Sequence, residues 1–149
     1  MLRRFSFPLE QVRSLRSHKE AAAKAALARE LTLQAEREAE LREADDAVAS
    51  ARGGTGEDRV LTGAELWARQ AFLERCERER AAAEQAAIEH EQVVAARVSA
   101  LHTAAAEREA LDRLKEQHAA THAREVARAE EATLGEVALF RHTRSGEAA

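Results

Sequence analysis

The chain has 149 residues, enough for one domain, and carries a net charge of −4 from 23 basic and 27 acidic side chains. Its 45% hydrophobic content is more than half alanine: 36 residues are Ala, while Leu, Ile, Val and Phe together make only 28 of 149, or 19%. So few large apolar residues nearly exclude a compact globular core, and so small a net charge argues against plain disorder; long solvated helices rich in Ala, Leu, Glu and Arg fit instead. Aromatic residues at 3% and few β-branched residues leave little from which to build a sheet. Catalysis is disfavoured because two-helix architectures offer few walls for a pocket, and interspersed charge provides no basic face for nucleic acid. The single cysteine, Cys76, cannot close an internal disulfide. No run approaches the roughly 18 apolar residues of a membrane span, and Arg3 and Arg4 near the start are not followed by the apolar stretch of a secretion signal. A soluble, cytoplasmic protein is expected.

From about residue 6 to 51 the sequence holds no glycine and only Pro8, which suits the first turn of a helix, where a missing N–H costs nothing. Four of the six glycines, Gly53, Gly54, Gly56 and Gly63, then fall within eleven residues and predict a loop over about 52–61. A second helix is predicted over about 62–142, followed by a disordered tail at 143–149. Its start is readable: Thr62 and Glu65 have capping-box spacing, and Leu61 and Leu66 have the spacing of a hydrophobic staple. Leu66, Leu73, Ala87, Val94 and Leu101 recur at multiples of seven, interrupted by Arg80, as in a coiled-coil seam. The expected fold is all-α: a single domain over 1–149, made of two long helices in an antiparallel coiled-coil hairpin, the second longer and overhanging.

A turn centred near residue 56 would make partner numbers sum to about 113. On that register Val12 meets Leu101, Leu9 meets Ala104, Ala26 meets Ala87, Leu41 meets Phe72, and Val48 lies beside Leu66. Everything from about Glu109 to His142 is then left over, about 34 residues or on the order of 50 Å of helix. That stretch carries Leu111, Leu114, Val126, Leu134, Val137, Leu139 and Phe140, and a lone helix with an apolar stripe either frays or docks on something else.

Little of the sequence points to chemistry. His118 and His122 are four apart with Glu125 one turn on, which is metal-ligand spacing, but six scattered His make such a pair an expected coincidence, and no metal or cofactor is assigned. His90-Glu91 lacks the second His of a zinc-protease motif, and Gly53-Gly54-Thr55-Gly56 lacks the Lys-Ser/Thr ending of a phosphate-binding loop. Cys76 reads as a small apolar residue in the seam. Arg3 and Arg4 are too few for stable membrane anchoring.

Three stretches together resemble the flagellar export protein FliJ family over nearly the whole chain. They are Phe7 to Arg16; Leu61 to Trp67 with Phe72 to Arg75; and Leu111 to Glu116 joined to Glu130 to Glu136. Gly135 departs from the acidic residue the family carries there, and the chain has no Tyr. The resemblance implies a non-enzymatic central stalk of the flagellar type III protein export apparatus. Such a stalk sits in the cytoplasm at the face of the basal body, inserts its joined helix ends into a hexameric export ATPase and reaches the membrane export-gate protein, with export chaperones as further candidate partners. On this reading Phe5, Phe7, Val12, Val126, Leu134, Val137 and Phe140 contact the ATPase, and Trp67, Phe72 and Cys76 contact the gate. The equivalent stalk of a virulence type III secretion system and a generic dimerising coiled-coil scaffold are the alternatives.

Overall fold

In a computed structural model, which describes residues 4–54 and 60–146, the chain forms two α-helices, α1 (Glu10–Gly53) and α2 (Gly63–Gly146). No strand occurs among the described residues, so the fold is all-α, and α2, at 84 residues against 44, is the longer helix. Pro8 stands just ahead of α1: the Glu10 N–H donates to the Phe7 carbonyl at 3.2 Å and the Arg13 N–H to that of Leu9 at 2.9 Å. At the start of α2 the capping box forms in full. The Thr62 N–H donates to the Glu65 carboxylate at 2.8 Å, and the Glu65 N–H donates to the Thr62 hydroxyl at 3.3 Å. Leu66 of the expected staple is 53% exposed, whereas Leu61 lines a groove with Glu65, Arg69 and Phe72. Of the expected tail, 143–146 are helical and the rest lies outside the described residues, as do residues 55–59 of the expected loop.

Gly54 follows α1 with a φ of +62°, a left-handed conformation open to glycine and strained for other residues, and its α-carbon faces the Arg69 guanidinium. Gly54→Ala is expected to lower unfolding free energy by about 1 kcal/mol in urea titration, from the left-handed strain alone.

The helices pair within two compact units, residues 1–19 with 104–149 and residues 20–103. In the first, Arg13 bonds Asp112 at 2.5 Å, Arg16 bonds Glu107 at 2.5 Å and Lys115 bonds Glu10 at 2.8 Å. In the second, Arg80 bonds Asp45 at 2.5 Å and Arg52 bonds Glu77 at 2.8 Å. In both, partner numbers fall as their mates rise, so the segments are antiparallel. The sums centre on about 125 (13 with 112, 10 with 115, 45 with 80), not on 113.

The difference begins where α1 ends. Gly54 and Leu61 line one groove with Glu65, Arg69 and Phe72 of α2 and with Ser50 and Ala51 of α1. The end of α1 therefore lies beside Arg69 and Phe72 rather than beside Gly63, the first residue of α2. Consequently the five apolar pairs expected from a tight turn do not form. Val48, 5% exposed, falls at the level of Cys76, 4% exposed, on the register set by Arg80–Asp45 and Arg52–Glu77, and among the described residues these two are the buried apolar residues of the second unit. Elsewhere the seam mixes half-buried Leu41, Leu73, Val94 and Leu101 with alanines such as Ala23, Ala44, Ala83 and Ala87, whose small side chains remove little apolar area from water.

The ion pairs of the first unit give it an acid limit. The Arg13 guanidinium donates to Asp112 and holds that carboxyl below its ordinary range, and the Lys115 ammonium does the same for Glu10. A carboxyl depressed in the folded state stabilises fully above its unfolded value, about 4, and loses that contribution as pH falls through its folded value. Amide-exchange protection of residues 107–118 is therefore expected to hold from pH 8 to 5 and to drop below about pH 4. Asp112→Asn should flatten that drop.

Candidate functional site

The first unit contains the residues expected to meet an ATPase, but it uses them in different ways. Phe7 is 5% exposed, with its ring edge-on to His118 at 5.7 Å between centroids, and Phe5 lies tilted on His122 at 5.6 Å. The two histidines that had metal-ligand spacing thus seat the aromatic residues that precede α1. Among the described residues no group of three or more His, Cys, Asp or Glu is placed to hold a metal ion. Val12 is 41% exposed on α1.

Past this clamp α2 continues. Lys115, Ala119, His122 and Val126 are half-buried at spacings of four, three and four, and mark the face that α1 and the segment before it cover. The same spacing leads on to Glu130, Thr133, Val137, Phe140 and Arg144. Every residue from 127 to 144 is exposed, about 27 Å of helix at 1.5 Å per residue. The uncovered stretch is therefore shorter than the expected 109–142. Leu111 and Leu114 belong to the paired part and are half-buried, because the register of about 125 extends the covered length of α2 by some twelve residues. Thr133, Glu136, Val137, Phe140, Arg141 and Arg144 line a shallow groove on the uncovered face. At about 100° per residue, Leu134 flanks this face and Leu139 points away from it.

The residues expected to meet a gate lie in the second unit and do not form one patch. Trp67 is 79% exposed, Phe72 is 47% exposed under the Arg75 guanidinium at 5.2 Å, and Cys76 is buried in the seam. Trp67 and Phe72 are five residues apart, about 140° around the helix. A contact that sequence reasoning missed sits deeper in the same unit. The His90 ring nitrogen Nε2 lies 2.9 Å from the Glu30 carbonyl oxygen and 3.5 Å from its carboxylate, which Arg97 approaches at 3.8 Å. The signal was present, since His90 occupies a seam position between Ala87 and Val94.

Two long antiparallel helices, a capped second helix and an uncovered C-terminal stretch are thus carried by one nearly continuous pattern. The family described as flagellar FliJ protein matches this pattern over residues 5–147. The chain belongs to the FliJ family. No curated protein and no solved structure matches it. Membership makes the chain a component of flagellar export. The match spans both helices, including the uncovered stretch and its Gly135, where an added Cβ would meet nothing within 4 Å. Among the described residues no helix is long and apolar enough to cross a membrane.

Proposed function

We propose that this FliJ-family chain is a non-enzymatic stalk of the flagellar type III export apparatus. Its α2 overhang docks in the centre of the hexameric export ATPase, and its second unit meets the membrane export gate on the cytoplasmic side. The observation that carries this reading is the face of Val126, Val137 and Phe140, which continues an intramolecular seam and over residues 127–144 is exposed, with no other described helix over it. An exposed apolar stripe of this kind is characteristic of an interaction surface. A stalk needs no catalytic group: contacts that differ from one ATPase subunit to the next shift the populations of their conformations. Gate contact falls to Trp67 and Phe72, since Cys76 is buried.

The test is a paired capture from flagellated cells. A Val137→Ala, Phe140→Ala variant should lose the ATPase and keep the gate protein, and a Trp67→Ala, Phe72→Ala variant should do the reverse. Loss of both partners by either variant, or of neither, would contradict the division of labour.

A further inference from the structure

The second unit is built so that its register is poorly specified by shape. Residues 21–28 of α1 contain six Ala and residues 81–87 of α2 contain five; the two stretches do not face each other, but each offers the helix opposite only small side chains, which resist a slide weakly. The Arg80–Asp45 and Arg52–Glu77 pairs bind by long, substantially exposed side chains, which reach several positions and are individually weak.

His90 is different. Its side chain is 14% exposed and that of Glu30 19%. The short, stiff imidazole reaches both the backbone carbonyl and the carboxylate of one residue. A carbonyl is present at every position of α1, but a slide of one heptad would put Ala23 or Arg37 opposite His90, the first without a carboxylate and the second cationic. We propose that His90 is the positioning residue of this coiled coil, and that its meeting with Glu30 fixes the register in which the two helices pair. A single polar residue at a seam position is an established way of specifying register in coiled coils, at some cost in stability.

Register is readable through the native Cys76. In the full-length chain, Val48→Cys places a second thiol at the level of Cys76, whereas Leu41→Cys places one a heptad away, about 10 Å along the axis. Under mild oxidation at low protein concentration, the 48–76 disulfide should dominate and the 41–76 disulfide should be a trace product. Adding His90→Leu is expected to raise the ratio of 41–76 to 48–76 product at least tenfold while circular dichroism shows helicity retained, and Glu30→Gln should raise it by a smaller factor. A merely structural role would change the melting temperature and leave that ratio unmoved. An unchanged ratio in both variants would overturn the proposal, as would equal yields of the two disulfides in chains that keep His90 and Glu30.

Discussion

Replacing Leu134, Val137 and Phe140 together by Ala is expected to weaken binding to the export ATPase by at least about 100-fold and to leave the stability of the chain nearly unchanged. The three side chains are 69%, 45% and 74% exposed, so the free protein gains little from them. In a docked complex each becomes a buried apolar contact. A buried aromatic at the centre of an interface often contributes 2 kcal/mol or more and each aliphatic about 1, and roughly 1.4 kcal/mol corresponds to a factor of ten. Calorimetric titration into the ATPase measures the loss, and urea denaturation of the free variant checks that the fold is kept. Leu139→Ala, on the opposite side of the same helix, should change affinity by no more than about threefold, less than 1 kcal/mol. Equal losses from Leu139→Ala and Phe140→Ala would show that the stripe is not the contact.

Phe7→Ala is expected to have the opposite profile. Phe7 is among the few buried apolar residues of the chain, at 5% exposure, and its ring stands against His118. Truncating a buried Phe costs about 3 kcal/mol at the low end of the observed range, and the low end applies because a two-helix seam does not enclose the site on all sides. Amide-exchange protection of residues 104–122 should fall, while that of residues 26–48 in the second unit should be affected much less. Urea unfolding followed by exchange mass spectrometry separates the two. Any loss of ATPase binding by Phe7→Ala would then act through the unseated segment before α1, because the Phe7 ring is itself covered.

What could be read from the sequence was local. The capping box at Thr62 and Glu65 needs only an i, i+3 spacing, and it forms as expected. The all-α class followed from Ala, Leu, Glu and Arg, whose helix propensities add along the chain. Register was not local. It depends on how far along α2 the end of α1 is set, and Gly54 facing Arg69 rather than the first residue of α2 shifts every pair without changing any motif. Alanine repeats supply no counter-signal, so Ala26 opposite Ala87 looked as good as any other match. The Phe–His contacts were hidden for a related reason. Outside a helix, two residues can advance as far as about 6.6 Å, close to the roughly 6 Å of four helical residues. Phe5 and Phe7 thus match His122 and His118 across a change of period that helical arithmetic alone does not reveal. Cys76, read from the sequence both as a seam residue and as part of a gate patch, is buried, as the first reading requires.

Residues 127–144 are proposed to present a face whose cover is another protein. Hydrogen–deuterium exchange of the full-length chain, alone and with the hexameric ATPase, tests it most directly. Rapid exchange is expected across 127–144 in the free chain, at least tenfold slower exchange there in the complex, and no comparable change over residues 64–80. Protection that arises over 64–80 and leaves 127–144 as open as in the free chain would contradict it.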